Sequence, residues 1–163
     1  DLHYQQMNLN MLVELTVEGF QALAAEKEVI LHYTPDTQPL VARIDQTRIQ
    51  QVLNNLINNA LQYTPTGGQV WVTLSQAYIK NRHAAVIQVQ DTGVGISEED
   101  LPHIFERFYR GRIPQDLQIP GTGLGLAIVK EIIQQHGGWV DVESTVGHGS
   151  WFTIYLPLDP GAP

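Results

Sequence analysis

Two glycine-rich motifs within one short stretch constrain the fold of this chain more than any other feature. An apolar run over residues 85–90 leads into the first motif and is typical of a half-buried strand. That strand would deliver the Asp91 carboxylate to a fixed depth in a crevice. Gly93 and Gly95 follow, and both allow a positive φ and a close approach of a ligand to the backbone. The motifs are Asp91-Thr-Gly-Val-Gly-Ile96 and Pro120-Gly-Thr-Gly-Leu-Gly-Leu126.

The second motif comes directly before a segment with helical spacing, from Leu124 to His136. Free backbone amides at the N-terminus of a helix favour phosphate oxygens. One acid that can read a base and one set of amides that can hold phosphates together indicate a purine nucleotide.

Length and charge exclude several classes of protein. With 163 residues the chain is predicted to form one domain over residues 9–158. Residues 1–8 are interpreted as the frayed remnant of an upstream segment, and residues 159–163 as a disordered tail. A formal net charge of -8 argues against nucleic acid or an anionic membrane surface as partners. The sequence contains no membrane-spanning run, no signal peptide and no cysteine, which fits a reducing, cytoplasmic compartment.

Hydrophobic periodicity and turn residues predict three main helices and two long hairpins. A shorter hairpin is predicted near the N-terminus, and a mobile loop over Arg112–Pro120 is predicted to close on the site. The predicted helices are Leu9–Ala25, Gln46–Tyr63 with Asp45 as N-cap, a short one from Ser97 to Phe105, and the segment after the second glycine motif. The predicted strand pairs are Glu28–Thr34 with Leu40–Ile44, Gln69–Lys80 with His83–Gln90, and Trp139–Thr145 with Ser150–Leu158.

Four asparagines fall within six residues of the second predicted helix, at positions 54, 55, 58 and 59. Asparagine is a mediocre helix former, so this cluster calls for another reason. Asn55 and Asn59 are four residues apart and therefore share a face. Their amide oxygens are reasonable Mg²⁺ ligands in a nucleotide site. A polar stripe facing solvent is the alternative interpretation.

Three arginines, Arg107, Arg110 and Arg112, lie between the glycine motifs. Their position favours contact with phosphates, although a solvated arginine-rich turn would have the same composition.

Taken together, these residues resemble the catalytic and ATP-binding domain of sensor histidine kinases, within the broader Bergerat-fold superfamily. Five motifs in register carry the resemblance, which covers about residues 10–158. They are the N box Asn55-Leu-Ile-Asn-Asn-Ala-Leu-Gln-Tyr-Thr-Pro65, the glycine box at Asp91, the F box Ile104-Phe-Glu-Arg-Phe-Tyr-Arg110, the glycine box at Gly121, and Gly147-His-Gly-Ser-Trp-Phe152.

The resemblance implies an α/β sandwich, in which three helices cover one face of a mixed five-stranded sheet and a mobile lid closes over ATP. It implies that Asp91 accepts a hydrogen bond from the adenine amino group and that Asn55 and Asn59 hold Mg²⁺. Arg110 would meet the phosphates and act in catalysis together with Asn55. The remaining implied nucleotide contacts are Tyr63, Gly93, Gly95, Ile96, Gly121, Thr122, Gly123, Leu124, Gly125 and Leu126.

The resemblance also implies partners. Nothing in the chain resembles the accepting-histidine segment of such kinases. The acceptor would therefore lie in an upstream dimerisation domain of a homodimeric parent protein, with or without a membrane anchor. A response regulator receiver domain would take the phosphoryl group next. One departure is Gln62, which stands where the N box usually has a basic residue.

Two other functions remain open at this point. Hydrolytic Bergerat-fold ATPases usually have glutamate at the first N-box position, where this chain has Asn55, which cannot act as a base. A nucleotide-sensing module that no longer transfers phosphate is the other alternative, and Gln62 supports it.

Overall fold

The computed structural model describes residues 1–109 and 125–158. Arg110, Arg112, the expected loop Arg112–Pro120, the stretch Gly121–Leu124 and the expected tail 159–163 lie outside the described residues. The described elements are β1 (Gln5–Asn8), α1 (Leu9–Glu26), β2 (Ile30–Thr34), β3 (Val41–Ile44), α2 (Gln46–Tyr63), β4 (Gln69–Ile79), β5 (Arg82–Asp91), α3 (Gly125–Gln135), β6 (Trp139–Thr145) and β7 (Gly149–Pro157).

Five strands form one mixed sheet in the order β2-β4-β5-β7-β6. Only the β2–β4 pair is parallel, and the other pairs are antiparallel. Side chains alternate between the two faces of a strand. On β4, Val70, Val72 and Leu74 are buried and join the apolar faces of the helices in a single core. The expected sandwich of a mixed five-stranded sheet and three helices is confirmed.

Helix α2 forms where the sequence predicts it, because local signals and packing agree there. The Asp45 side chain accepts a hydrogen bond from the backbone N–H of Arg48 at 3.2 Å, which caps the first turn. Residues at helical spacing, among them Ile49, Val52 and Leu53, are fully buried. The helix ends at Tyr63, ahead of Pro65.

The predicted hairpin between Glu28–Thr34 and Leu40–Ile44 is wrong. β2 pairs in parallel with β4, so that Leu31 lies beside Val70, while β3 pairs with β1. Both strands do form, but burial against the helices determines which strands they pair with. The turn-like residues between them connect the two sheets.

Residues 1–8 are not uniformly frayed, which corrects the expectation for Gln5–Asn8. These four residues pair antiparallel with Val41–Ile44. The Asn8 side chain also accepts a hydrogen bond from the Met11 backbone at 3.1 Å and caps α1. The segment is polar and short, so its pairing depends on β3 and leaves no alternating pattern in the sequence.

Both long hairpins are confirmed. In the first, Lys80 and Asn81 occupy the turn with φ values of 55° and 61°, as a two-residue type I′ turn requires. The short helix predicted from Ser97 to Phe105 is reduced to a 3-10 turn over Leu101–His103. Within residues 1–109 and 125–158, no helix is long and apolar enough to cross a membrane.

Candidate functional site

Asp91 is the last residue of β5, a strand with neighbours on both sides. It lies opposite Val70 of β4 and Ser150 of β7. Only 4% of the Asp91 surface is exposed. The sheet therefore holds one carboxylate near its centre, at the end of a strand where a loop begins.

Burial raises the pKa of the Asp91 carboxyl to about 6, because the protein interior disfavours its charged form. Hydrogen bonds from the backbone of Gly93 and Ser150 act in the opposite direction and lower this pKa. The Gly93 N–H donates to Asp91 Oδ1 at 2.8 Å. At neutral pH the group is thus a buried carboxylate whose charge is stabilised by amide donors, with capacity to accept a further hydrogen bond.

The loop after Asp91 follows a path that only glycine permits at two positions. A Cβ on Gly93 would lie 2.4 Å from the Tyr63 carbonyl oxygen, and a Cβ on Gly95 would lie 2.2 Å from the Thr145 carbonyl oxygen. Gly95 also has a φ of +77°. The Val94 N–H donates to the Tyr63 carbonyl at 3.3 Å, so the loop is tied to the C-terminal end of α2.

A serine pair forms the wall behind this loop. The Ile96 N–H donates to Ser144 Oγ at 2.7 Å. Ser144 Oγ in turn donates to the Gly149 carbonyl at 3.0 Å and lies 2.8 Å from Ser150 Oγ. The β6–β7 hairpin thereby links the far end of the loop to the residue that faces Asp91 across the sheet.

The asparagine cluster on α2 meets the start of α3. Asn55 Nδ2 donates to the Gly125 carbonyl at 3.3 Å, and both residues are half-buried. Asn59 lies one turn later and is also half-buried. Asn54 is exposed and accepts a hydrogen bond from Gln50 at 3.0 Å. Three members of the cluster, Asn55, Asn58 and Asn59, are therefore half-buried, and Asn54 is exposed.

A cavity of about 490 Å³ lies between α1 and α2. Asn55 and Asn58 line it together with Gln50 and with residues of α1, including Leu15 and Phe20. Asn55 therefore borders both the start of α3 and an open space between helices.

Phe105 and Arg107, near the end of the first described range, contact α3, and Phe105 also contacts the sheet. Phe105 packs edge-on against Phe152, with ring centres 6.4 Å apart, and Lys130 Nζ lies 5.7 Å from the Phe105 ring. Arg107 lies 3.5 Å from Glu131 in an exposed ion pair. In this arrangement Arg107 contacts α3, whereas the sequence favoured a contact with phosphates.

The structure brings most of the described candidate residues to one end of the sheet. Tyr63, Asp91, Gly93 and Gly95 are joined by the loop contacts above. Ile96 and Leu126 are both partly buried against the core. Asn55 and Gly125 meet at the start of α3, with Asn59 one turn further along α2. The candidates Arg110, Gly121, Thr122, Gly123 and Leu124 lie outside the described residues.

Sequence reasoning missed Ser144 and gave Ser150 no role. Ser150 could have been found, because it follows the glycine pair of the last motif. Ser144 carries no local signal, since its role depends on the cross-strand register that places it opposite Ser150. Thr92 was also missed: its hydroxyl accepts a hydrogen bond from the Gln69 N–H at 2.9 Å and fixes the start of the loop to β4.

Comparison with known proteins finds a matching family model and similar proteins. The model of the family described as histidine kinase-, DNA gyrase B-, and HSP90-like ATPase matches residues 44–160. Sensor histidine kinase RppB of Synechocystis sp. is 41% identical over 150 residues, which are 92% of this chain and 32% of RppB. Sensor histidine kinase WalK of Bacillus subtilis is 39% identical over 145 residues, which are 89% of this chain and 23% of WalK. The chain spans about a third or less of these relatives.

Solved structures are similar over almost the whole chain. The catalytic domain of histidine kinase ThkA, in a nucleotide-free form, has a TM-score of 0.82 and 29% identity over 96% of this chain and 99% of that one. Full-length ShkA in complex with AMPPNP has a TM-score of 0.80 and 29% identity, over 96% of this chain and 31% of that one.

Proposed function

Because this chain belongs to the family of histidine kinase-, DNA gyrase B-, and HSP90-like ATPases, we propose that it binds Mg-ATP and donates the γ-phosphate to a histidine. The histidine lies in a separate dimerisation and phosphoacceptor domain of the same sensor kinase. The observation that carries the proposal is the buried Asp91 carboxylate beside a loop that requires glycine at two positions.

Asp91 selects the base. The exocyclic amino group of adenine is a hydrogen-bond donor, and an ionised carboxylate is an acceptor only. A charge-assisted hydrogen bond of this kind contributes about 1.5 to 3 kcal/mol. Guanine carries a carbonyl oxygen at the same ring position, which would face the carboxylate with no proton between them. In this proposal Tyr63, Ile96 and Leu126 flank the base or the ribose.

The start of α3 holds the phosphates. Backbone N–H groups at a helix N-terminus favour anions, and Asn55 fixes the first turn through the Gly125 carbonyl. Gly121, Gly123 and Gly125 have no Cβ, so they would let the triphosphate approach the backbone closely. Thr122 and Leu124 alternate with them in the sequence, and Arg110 supplies positive charge in this proposal.

Asn55 and Asn59 fit a Mg²⁺ that arrives with the nucleotide. The hydrogen bond from Asn55 Nδ2 to Gly125 orients the amide and leaves its Oδ1 as an acceptor. Neutral amide oxygens suit a magnesium ion that keeps phosphate and water ligands. The part of the chain that the structure describes contains no group of three His, Cys, Asp or Glu side chains that could hold a metal ion. The metal ligands in this proposal are amide and phosphate oxygens. When bound, the ion offsets negative charge on the triphosphate.

Transfer requires an acceptor from outside the chain. An imidazole nitrogen of the acceptor histidine attacks the γ-phosphorus in line, and the bond from this phosphorus to the β–γ bridging oxygen breaks. ADP leaves with the electron pair, and Arg110 stabilises the developing charge. The chain supplies positioning and electrostatics, which are the main contributions of a protein to this reaction.

The same proposal extends to the parent protein and its partners. The acceptor domain makes the parent kinase a homodimer in the cytoplasm, and the phosphoryl group passes on to a response regulator receiver domain. The names of RppB and WalK as sensor histidine kinases support this part.

Two other functions predict different products. A hydrolytic ATPase needs a base at the position of Asn55, whose amide cannot take a proton from water. A silent sensing module binds ATP without transfer, and the half-buried Gln62 in place of a basic residue favours it.

The test adds the matching phosphoacceptor domain in trans with γ-labelled ATP. Labelled histidine on the added domain supports the proposal, whereas free phosphate alone supports the ATPase and tight binding without any transfer supports the sensor. Asp91→Asn is expected to lose the labelling, and Glu18→Gln, on the exposed side of α1, is the control for loss of one carboxylate.

A further inference from the structure

All three tryptophans of the chain lie on the face of the sheet that turns away from the helices. Trp71, Trp139 and Trp151 alternate along their strands with residues such as Val72 and Phe152, which belong to the core beneath the helices. None of the tryptophans belongs to that core, and each is half-buried. We call this surface, centred on Trp71, Trp139 and Trp151, the outer face.

The strand register sets the neighbours of each ring. Trp151 lies opposite Glu143 on one side and Gln90 on the other, and Gln90 lies opposite Trp71. Trp139 lies opposite Tyr155, and their rings stack with centres 4.8 Å apart. Aromatic rings are thus spread across the outer face with amide side chains between them, a composition typical of protein interfaces.

At one end of the outer face, a lysine of the same chain lies over a tryptophan ring. Lys80 Nζ lies 4.4 Å from the centre of the Trp139 ring. Trp71 stacks on His32 with ring centres 5.6 Å apart. Within the described ranges, Trp151 has neither a stacked ring nor a cation over it. Trp151 is itself half-buried, so part of its side chain in the middle of the outer face is accessible to a ligand.

Two acidic side chains lie on the β6 side of the Trp151 ring. Asp141 and Glu143 project from β6 on the same side as Trp139, and both are exposed. Burial, with the Asp141 and Glu143 carboxylates, raises the pKa of Tyr155, so the field of these two acids reaches the neighbouring strand. Two basic side chains, Lys80 and Arg82, lie beside Trp139 and Gly137, which come before Asp141 and Glu143 along the chain.

We propose that Trp151, Asp141 and Glu143 form a docking site for an arginine-bearing segment of a partner polypeptide. A planar guanidinium stacks on an indole ring and at the same time donates two parallel hydrogen bonds to a carboxylate. Glu143 is the cross-strand neighbour of Trp151, so one arginine can satisfy both groups. The complementary charge identifies the partner as cationic, and the open indole favours arginine over lysine. This site lies on the opposite side of the sheet from the helices and is independent of ATP.

Tryptophan fluorescence tests the proposal directly, because every tryptophan of the chain lies on this face. The chain is titrated with an octa-arginine peptide and, separately, with octa-lysine. The expected result is a saturable change in emission, with octa-lysine binding about fivefold more weakly. Saturating ATP leaves the titration unchanged.

Two charge-matched double variants separate a site from general attraction to an acidic protein. Asp141→Asn with Glu143→Gln removes the site, whereas Glu14→Gln with Glu18→Gln removes the same charge from exposed positions on α1. The first pair is expected to weaken octa-arginine at least about tenfold, and the second to have little effect. Equal losses in both pairs, or no change in emission, overturn the proposal. So does an emission change that depends on protein concentration without peptide, since a second copy of the chain would then cover the outer face.

Discussion

The backbone N–H of Gly93 donates a 2.8 Å hydrogen bond to Asp91 Oδ1, so the chain turns back onto its own buried carboxylate within two residues. This contact holds one oxygen of Asp91 in place and stabilises its charge. It also brings the Gly93 Cα so close to the end of α2 that no side chain fits there. The same contact therefore explains both the acid and the glycine of the first motif.

Replacing Asp91 with asparagine separates binding from folding. Asp91→Asn keeps the size of the side chain but loses the ionised acceptor, and ATP affinity is expected to fall by about 10- to 100-fold. Calorimetry measures the affinity, and circular dichroism checks the fold. Unchanged affinity in a folded variant would contradict the role of Asp91.

The stability of the nucleotide-free chain should depend on pH through Asp91. Its pKa is raised from 3.8 to about 6 in the folded state, so between these values the folded state binds more protons than the unfolded state. The stabilisation is fully present below about pH 4 and is lost as the pH rises through about 6. The full difference corresponds to about 3 kcal/mol.

Urea unfolding of the wild type and of Asp91→Asn isolates this effect, because the other carboxylates cancel. The variant is expected to gain stability relative to the wild type between pH 4 and pH 8, by about 1 to 3 kcal/mol. A difference between the two proteins that stays constant over this pH range would exclude a raised pKa at Asp91.

Asn59→Ala should act through the metal. The loss of one amide ligand is expected to lower ATP affinity about tenfold in the presence of Mg²⁺ and very little in EDTA. Asn54→Ala is the matched control, since Asn54 is exposed on the same helix and contacts Gln50. An equal loss with and without Mg²⁺ would show that Asn59 has another role.

Gly95 and Gly147 distinguish steric contact from backbone strain. Both have a positive φ, of 77° and 84°. A Cβ on Gly147 would meet nothing within 4 Å, whereas one on Gly95 would lie 2.2 Å from the Thr145 carbonyl oxygen. Gly147→Ala is expected to destabilise the chain by about 1 kcal/mol, and Gly95→Ala by clearly more, with loss of ATP binding. Thermal unfolding checks the order, and equal effects would refute the close approach.

Ser144→Ala tests the wall behind the loop. The substitution leaves the Ile96 N–H without its 2.7 Å acceptor, and an unsatisfied amide of this kind destabilises a fold by about 1 to 3 kcal/mol. ATP affinity is expected to fall together with stability, because the loop that carries Ile96 loosens. Ser75→Ala, exposed on β4, is the control. A variant with wild-type stability and affinity would leave Ser144 without a role.

The fold could be predicted where a local signal and burial point the same way. Helix α2 has a capping Asp45 and a continuous apolar face, and its bounds match the prediction. The pairing of β2 could not be found in this way. Its partner is β4, which lies on the far side of α2 in the sequence, so the choice depends on how the helices cover the sheet.

In the candidate site, too, residues with a local sequence signal could be predicted and residues that depend on strand pairing could not. Asp91, Gly93 and Gly95 were predicted as site residues because residue type and order indicate their chemistry, and the structure places them at the end of β5 and in the loop that follows it. Ser144 was missed because its partners, Ile96 and Ser150, meet it only after β6 and β7 have paired. Residues whose role comes from sheet register leave no pattern in a single sequence.

A crystal structure with a non-hydrolysable ATP analogue and Mg²⁺ shows directly whether Asp91 binds the base. We expect the exocyclic amino group of adenine to lie about 3 Å from the Asp91 carboxylate, with the triphosphate near the start of α3. A purine bound elsewhere, with Asp91 making no contact to the base, would contradict it.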